Sequence, residues 1–285
     1  MKKIKQGGGI GFRPDLITTY IQRILGFVIY MFRINGKNSL SNEFIQKLNP
    51  KKSVIFDSKE IWFKTGHGRL EWRVDTFNTE EPIMIRWLST FSKDDVFFDV
   101  GANVGTYTLP ALIKGSAVFS FELDPINVSI LHENIFINKL NENSTIIPIG
   151  LSDSSKIEKV YNRDFSKGDA LQSVGRPSPF DTVQNNPFVC NQLVAGLDYI
   201  SGIFDFPVPT KIKIDVDGNE KMVFDGGVNT ILSAQEIYFE DNGLAESKYV
   251  IDKILKNGFI EKERELSKNE NFKNQFNIIF VKGVG

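Results

Sequence analysis

The chain has 285 residues, 41% of them hydrophobic, with 34 Lys and Arg against 35 Asp and Glu. That is enough apolar material for one large α/β domain or, as expected here, one domain with an N-terminal extension. Near-cancelling charge argues against nucleic acid as a partner, and one cysteine with two histidines excludes a disulfide framework, a multi-cysteine metal site and a His-rich cluster. The lone cysteine also fits a reducing cytosol, so a cytoplasmic location is expected.

Residues 1–12 read as a basic, glycine-rich disordered tail. Lys2, Lys3 and Lys5 imitate a signal sequence, but Gly7, Gly8, Gly9 and Gly11 intervene, and the longest clean apolar run, Ile24 to Phe32, is well short of the ~20 residues that span a bilayer. A helix is expected from about Asp15, its cap, to Phe32, packed on its own domain. Flanking Arg13, Arg23 and Arg33 leave a membrane surface or a partner subunit, including a second copy of the chain, as alternatives. Asn35 to Asn38 break the helix, and Ser39 to Leu48 suit a second short one. From Ser53 to Val74 short strands are expected, forming a hairpin layer around Thr65, Gly66, His67 and Gly68. The extension is taken as residues 1–78 and the main domain as 79–285.

Glu80, Glu81 and Pro82 open a helix, with acids at the positive end of its dipole and proline in the first turn. Val96 to Val100 is a buried strand that stops at Gly101, and helix-compatible residues start at Tyr107. That is a strand, a tight turn bearing Gly101 and Gly105, and a helix start. Strands then alternate with helices: Ala117–Leu123, helix Ile126–Asn138 with Ile130, Leu131, Asn134, Ile135 and Phe136 facing the core, and strand Thr145–Ile149. After a gap come strand Lys211–Val216, helix Lys221–Leu232, strand Glu236–Glu240, helix Ser247–Lys256 and strand Phe276–Val281. Such alternation implies a doubly wound, mostly parallel sheet covered on both faces, with ligands at the carboxyl ends of its strands. Tyr161 to Pro187, rich in Ser, Gly, Pro, Asn and Asp, is too long for a routine connection and is either a functional loop or partly disordered.

A glycine turn of this kind leaves no Cβ between the backbone and a bound ligand. A dinucleotide fingerprint would need glycine where Asn103 stands, which disfavours NAD and FAD. The pattern present is Asp99-x-Gly101-x-x-x-Gly105, with Glu122 at the end of the next strand. A carboxylate there is placed to accept both hydroxyls of a ribose lying over the turn.

With these segments in place the chain resembles the class I S-adenosylmethionine-dependent methyltransferases, and among them the FkbM-type enzymes. The segments, in the family's order, are Arg73-x-x-Thr76-Phe77-x-x-x-Glu81-Pro82 leading to Trp87; Asp99 to Gly105; Phe121-Glu122; Leu151-Ser152-Asp153; and Lys211 to Gly218 with Glu220. The resemblance covers roughly Trp72 to Val281, with Asn219 standing where the family usually has a bulkier residue. It implies a seven-stranded Rossmann-like methyltransferase sheet and S-adenosylmethionine as cofactor. It further implies O-methylation of a small molecule or a carbohydrate. Gly101, Asn103 and Gly105 would contact the methionine part and Glu122 the ribose, while Asp99 would face the methionyl amino group or orient the turn. Ser152 and Asp153 would lie at the adenine edge or form an ordinary turn.

Asp215, Asp217, Glu220, Glu240 and Asp241 make an acidic cluster at strand ends. Methyl transfer needs an aligned acceptor oxygen and a group to take its proton. Asp215 is the first candidate for base or cofactor contact, with Asp217 and Glu240 on the acceptor side. Glu220 is also read as a helix-start acid, and Asp217-Gly218-Asn219 as turn chemistry. No metal is expected, although three of these carboxylates suit a divalent cation. His67 is read as a surface residue, His132 as packing or solvent-exposed, and Cys190 as small and buried. Two other classes stay open: a non-catalytic S-adenosylmethionine-binding partner protein, and a nucleotide-cofactor oxidoreductase.

Overall fold

The computed structural model describes residues 16–34, 49–66, 68–162, 166–180, 188–267 and 275–283. The expected N-terminal tail, the Asp15 cap, the Ser39–Leu48 helix and His67 lie outside the described residues.

Helix α1 spans Leu16–Ile34. In it, Tyr20, Ile24, Phe27 and Tyr30 are each more than half exposed. These side chains do not pack on the domain, contrary to the sequence expectation. No helix among the described residues is long and apolar enough to cross a membrane. Strands β1 (Lys51–Phe56) and β2 (Lys59–Lys64) form an antiparallel hairpin, as expected, but it turns at Asp57-Ser58 and not around Thr65 to Gly68. Helix α2 (Gly68–Asp75) replaces the strand expected there. Leu70, Trp72 and Val74 alternate like a strand, yet Leu70 and Val74 are also four apart, which puts both on the buried side of a helix. Helix α3 (Pro82–Ser89) follows, with Pro82 in its first turn.

The main sheet holds β3 (Val96–Val100), β4 (Ala117–Phe121), β5 (Ser144–Ile147), β10 (Lys211–Ile214), β11 (Glu236–Asp241), β12 (Phe259–Leu266) and β13 (Phe276–Lys282). Their order is β12-β13-β11-β10-β3-β4-β5, and β13 alone runs against its neighbours. This is a doubly wound α/β sheet of seven strands, as expected. Between β5 and β10 the chain builds a second, four-stranded sheet: β6 (Gly150–Leu151), β7 (Lys156–Asn162), β8 (Ser173–Val174) and β9 (Phe188–Ala195), in the order β6-β9-β7-β8. Cys190 on β9 is half-buried, more open than expected.

The helices are α4 (Thr108–Ile113), α5 (Pro125–Asn138), α6 (Leu197–Ile203), α7 (Glu220–Asp225), α8 (Val228–Ser233) and α9 (Ala245–Lys256). The single helix expected over Lys221–Leu232 is two, divided at Gly226-Gly227.

Each face of the sheet has its own core. Phe98, Val100, Ile212, Ile214, Ile237, Phe239, Ile278 and Phe280 point one way, into an apolar layer with Val223, Phe224, Val250 and Ile254. The opposite face meets α3 through Trp87, whose ring stacks on Tyr238 at 5.7 Å and stands edge-on to Phe91 and Phe97. Its indole N–H donates to Glu236 at 2.6 Å, and Glu236 in turn accepts from Lys211. This second core continues into the hairpin through Phe56, Ile61, Phe63 and Phe77. The edge of β2 is closed by helix α5: Asn138 and Asn134 accept the N–H groups of Trp62 and Lys64 at 2.8 and 2.7 Å. Asn134 is thus buried as expected, whereas Phe136 turns outward and is 82% exposed.

Candidate active site

Strand order reverses between β3 and β10, so a crevice opens there at the carboxyl ends of the strands. The turn after β3 has the left-handed glycines expected of it, Gly101 at φ +83° and Gly105 at φ +88°. Besides any ligand, the chain's own packing bears on both. A Cβ at Gly101 would overlap the carbonyl oxygen of Asp215 and stand 3.1 Å from its carbonyl carbon. At Gly105 it would press on Leu131 and Leu109 at 2.5 and 2.7 Å. The chain's own packing demands both glycines. Between them Asn103 also takes a left-handed conformation, φ +51°.

Glu122, at the end of β4, fastens this turn. One carboxylate oxygen accepts the Asn103 N–H at 2.6 Å and the other the Asp124 N–H at 2.7 Å. Asp124 caps α5 by accepting from Ile126 N–H. Burial lifts the Glu122 pKa to about 7 despite these two N–H groups, which pull it down. Each oxygen keeps a further lone pair for a hydroxyl donor.

The described part of the long Tyr161–Pro187 segment lies across the same crevice. The Asp169 carbonyl accepts from the side-chain amides of Asn103 (2.6 Å) and Asn127 (3.0 Å), and Asn127 accepts from Gly168 N–H. Gln172 donates to Asp124, and Leu171 N–H donates to Asp217 at 2.9 Å. From α2, Arg73 donates twice to the Gly168 carbonyl and Arg69 pairs with Asp169. A cavity of about 10 Å³ remains beside Phe63, Leu70, Arg73 and Thr106, room for roughly one water.

Beyond the turn, the polar face of the sheet carries the acidic cluster. Period-two alternation sends Lys211, Lys213 and Asp215 to the face that also holds Asp99, Tyr238 and Glu240. Lys213 is fully buried, 3.3 Å from Asp99 and 3.2 Å from Asp215. Burial opposes its charge, but Asp215, Asp99 and Glu81 outweigh that and raise its pKa. The other Asp99 oxygen accepts from the Thr108 hydroxyl at 2.7 Å, so Asp99, with no exposed surface, orients the turn. Glu81, which the sequence assigns to the helix start, makes no cap. Its carboxylate turns inward, accepts from the Tyr238 hydroxyl at 3.0 Å and is bonded by Tyr107. Carboxylate oxygens of Glu81, Asp215 and Glu240 lie within 4.8 Å of one another. Burial, with Asp215 as the next cause, raises Glu81 to about 7 and Asp217 to about 6, and puts Glu240 well above the carboxylate range.

The family profile described as the methyltransferase FkbM domain matches residues 99–261. This chain belongs to the FkbM methyltransferase family. Among curated proteins it is similar to the hexuronic acid methyltransferase AglP of Haloferax volcanii, 28% identical over 210 residues, covering 70% of this chain and 78% of that one. It is also 28% identical over 107 residues to the tRNA (guanine(37)-N(1))-methyltransferase of Leishmania braziliensis, covering 38% of this chain and 15% of that protein. Among solved structures it is similar to the methyltransferase FkbM of Methylobacillus flagellatus KT, at 16% identity and a TM-score of 0.46, covering 66% of this chain. The chain spans 44% of the length of that structure.

Not all the residues proposed from sequence meet in this FkbM methyltransferase. Asp99, Gly101, Asn103, Gly105 and Glu122 are joined at the turn, and Asp215, Asp217 and Glu240 stand beside it. Ser152 is buried and bonded to Ala195 through its backbone N–H; Asp153 pairs with Lys156 and faces a surface groove shared with Asp198, Tyr199 and Asp225. Glu220 is the first residue of α7, and its carboxylate closes the β10 loop, accepting from Gly218 N–H and from Asn242. Asn219 contacts β8 through Val174 and Ser173. Lys213, Tyr107 and Tyr238 were missed. The available signal was Lys211-x-Lys213-x-Asp215 in a central strand, since charges on a covered sheet face require partners.

The lifted carboxyls give this enzyme a defined pH dependence. Glu122 and Glu220 both bind protons up to about pH 7 when folded, against 4.5 when unfolded. The unfolded chain therefore releases these protons first, and stability falls as pH rises from 4.5 to 7, then levels off. Each group contributes on the order of 3 kcal/mol at most, while exposed pairs such as Lys156 with Glu158, whose carboxyl is held below its usual range, act weakly and only at lower pH. Calorimetric Tm is expected to drop between pH 5 and 7.5; a Tm that rises over that interval contradicts the assignment.

Proposed function

We propose that this chain transfers a methyl group from S-adenosylmethionine to a hydroxyl oxygen of a sugar or another small molecule. The observation that carries the proposal is the Glu122 carboxylate, held at the end of β4 across the Asn103 turn with lone pairs to spare for two ribose hydroxyls. The charge of the crevice fits the same cofactor: Asp215 and Asp217, at the end of β10, suit a ligand bearing sulfonium and ammonium charges. The name of the Haloferax relative, a hexuronic acid methyltransferase, favours a carbohydrate acceptor. A cytoplasmic location belongs to the same reading.

In this reading Gly101, Asn103, Gly105 and Glu122 hold the cofactor, and Asp99 positions the turn from beneath. S-adenosylmethionine, when bound, supplies a methyl group already activated by its sulfonium. The chain's own work is alignment of the acceptor, exclusion of water and removal of the hydroxyl proton. Asp215, partly open at the end of β10, takes that proton. Glu240 stands on the acceptor side, and Asp217 ties the covering loop to the site through Leu171.

Calorimetry with S-adenosylhomocysteine tests this directly. Clear binding is expected for the wild type, and Glu122→Ala should weaken it by about 1.5–3 kcal/mol, as for a charge-assisted hydrogen-bonding group. Because Glu122 also pins Asn103 and Asp124, melting of the variant should be recorded alongside. Absence of wild-type binding refutes the cofactor assignment.

A further inference from the structure

We propose that Glu81, Asp215 and Glu240 form a binding site for one divalent cation of the hard, oxygen-seeking class, such as Mg²⁺ or Mn²⁺. Two oxygens bound on opposite sides of such an ion stand about 4 to 5 Å apart, given metal–oxygen distances of about 2.0–2.5 Å. The three carboxylates each present an oxygen within 4.8 Å of the others. They come from three elements, the residue preceding α3, the end of β10 and the end of β11, and nothing in the local sequence of any one requires the others to be there.

The second observation is independent of that spacing. Glu240 is 8% exposed, and its Oε2 has no hydrogen-bond partner among the described residues. A buried carboxylate oxygen without a partner is costly, and native structures leave few of them. Directly across the antiparallel ladder from Glu240 stands Asn277, 2% exposed, whose side-chain Oδ1 is likewise unpartnered. Both paired positions thus carry a buried side-chain oxygen that no donor among the described residues satisfies, and a cation would satisfy the one on Glu240.

The rest of the cluster is already committed, which narrows the site to these residues. Asp99 is taken by Thr108 and Lys213, Asp217 by Leu171 N–H, and Glu220 by Gly218 and Asn242. Lys213 reaches Asp215 at 3.2 Å and offsets one of the negative charges. Glu81 is held for ligation from behind by Tyr238. An all-oxygen set of this kind selects hard cations over zinc or copper.

Resting on the methyl-transfer reading, the ion's remaining positions would take oxygens of the acceptor, which favours a vicinal diol or a hydroxy acid over an isolated hydroxyl. The experiment separates the two ideas. Mn²⁺ is titrated into the full-length protein at pH 7.5, with the loss of the free-ion paramagnetic resonance signal as readout. S-adenosylhomocysteine binding is measured in parallel with chelator present. One Mn²⁺ per chain, displaced by Mg²⁺, is expected. Glu240→Gln and Glu81→Gln should each weaken Mn²⁺ binding at least tenfold with unchanged melting, whereas Glu142→Gln, an exposed carboxylate elsewhere, leaves it unchanged. The site is refuted by wild type that takes up no Mn²⁺ at millimolar concentration, or by both glutamine variants binding as tightly as wild type. Retained S-adenosylhomocysteine binding in those cases would leave the methyl-transfer reading standing.

Discussion

Gly101→Ala is expected to destabilise the fold by about 3–5 kcal/mol, read as a lowered urea midpoint at unchanged m-value. Two costs add: a left-handed backbone for a residue with a Cβ, about 1–2 kcal/mol, and overpacking against rigid main chain, typically 1–3 kcal/mol. The second is near its upper bound, because the obstacle is the Asp215 carbonyl and not the movable end of a side chain. Gly26→Ala is the matched control. Nothing lies within 4 Å of its added methyl, so in the exposed helix α1 it should be neutral or slightly stabilising. Equal effects from the two substitutions would refute the close approach of the turn to β10.

Lys213→Met should cost a similar amount, about 3–5 kcal/mol, as for removing one partner from a buried ionic network. Methionine fills much of the same volume, so the loss is electrostatic: Asp99 and Asp215 are left facing each other without the ammonium between them. Adding Asp99→Asn to Lys213→Met should recover part of the loss, and urea denaturation of the four-member mutant cycle measures the coupling. Strict additivity would show that Lys213 acts by packing alone.

Much of the sheet was legible because its strands are short apolar runs punctuated by Gly, Asn and Asp, and its helices carry apolar residues at helical spacing. The second sheet was not. Lys156 to Asn162 and Phe188 to Ala195 alternate weakly in polarity, because Ile157, Phe188, Val189 and Leu193 face solvent while Asn162 turns inward, and the polar segment between them masks their pairing. Helix α2 was misread because Leu70, Trp72 and Val74 satisfy two periods at once. Within the site, the glycines and Glu122 stood out because their spacing is fixed along one strand–turn–strand unit. Glu81 was visible yet misassigned. At the start of a helix an acid has an adequate local explanation, and only the fold brings it to Tyr238, more than 150 residues away in sequence.

The loop from Gly168 to Gln172 has a consequence for any ligand of this crevice. It already uses the side-chain amides of Asn103 and Asn127 and the carboxylates of Asp124 and Asp217. An arriving molecule that needs those groups must exchange partners with the chain itself. Its affinity is then a difference between two similar sets of hydrogen bonds, and the crevice carries a placeholder that excludes weak imitators before any chemistry begins.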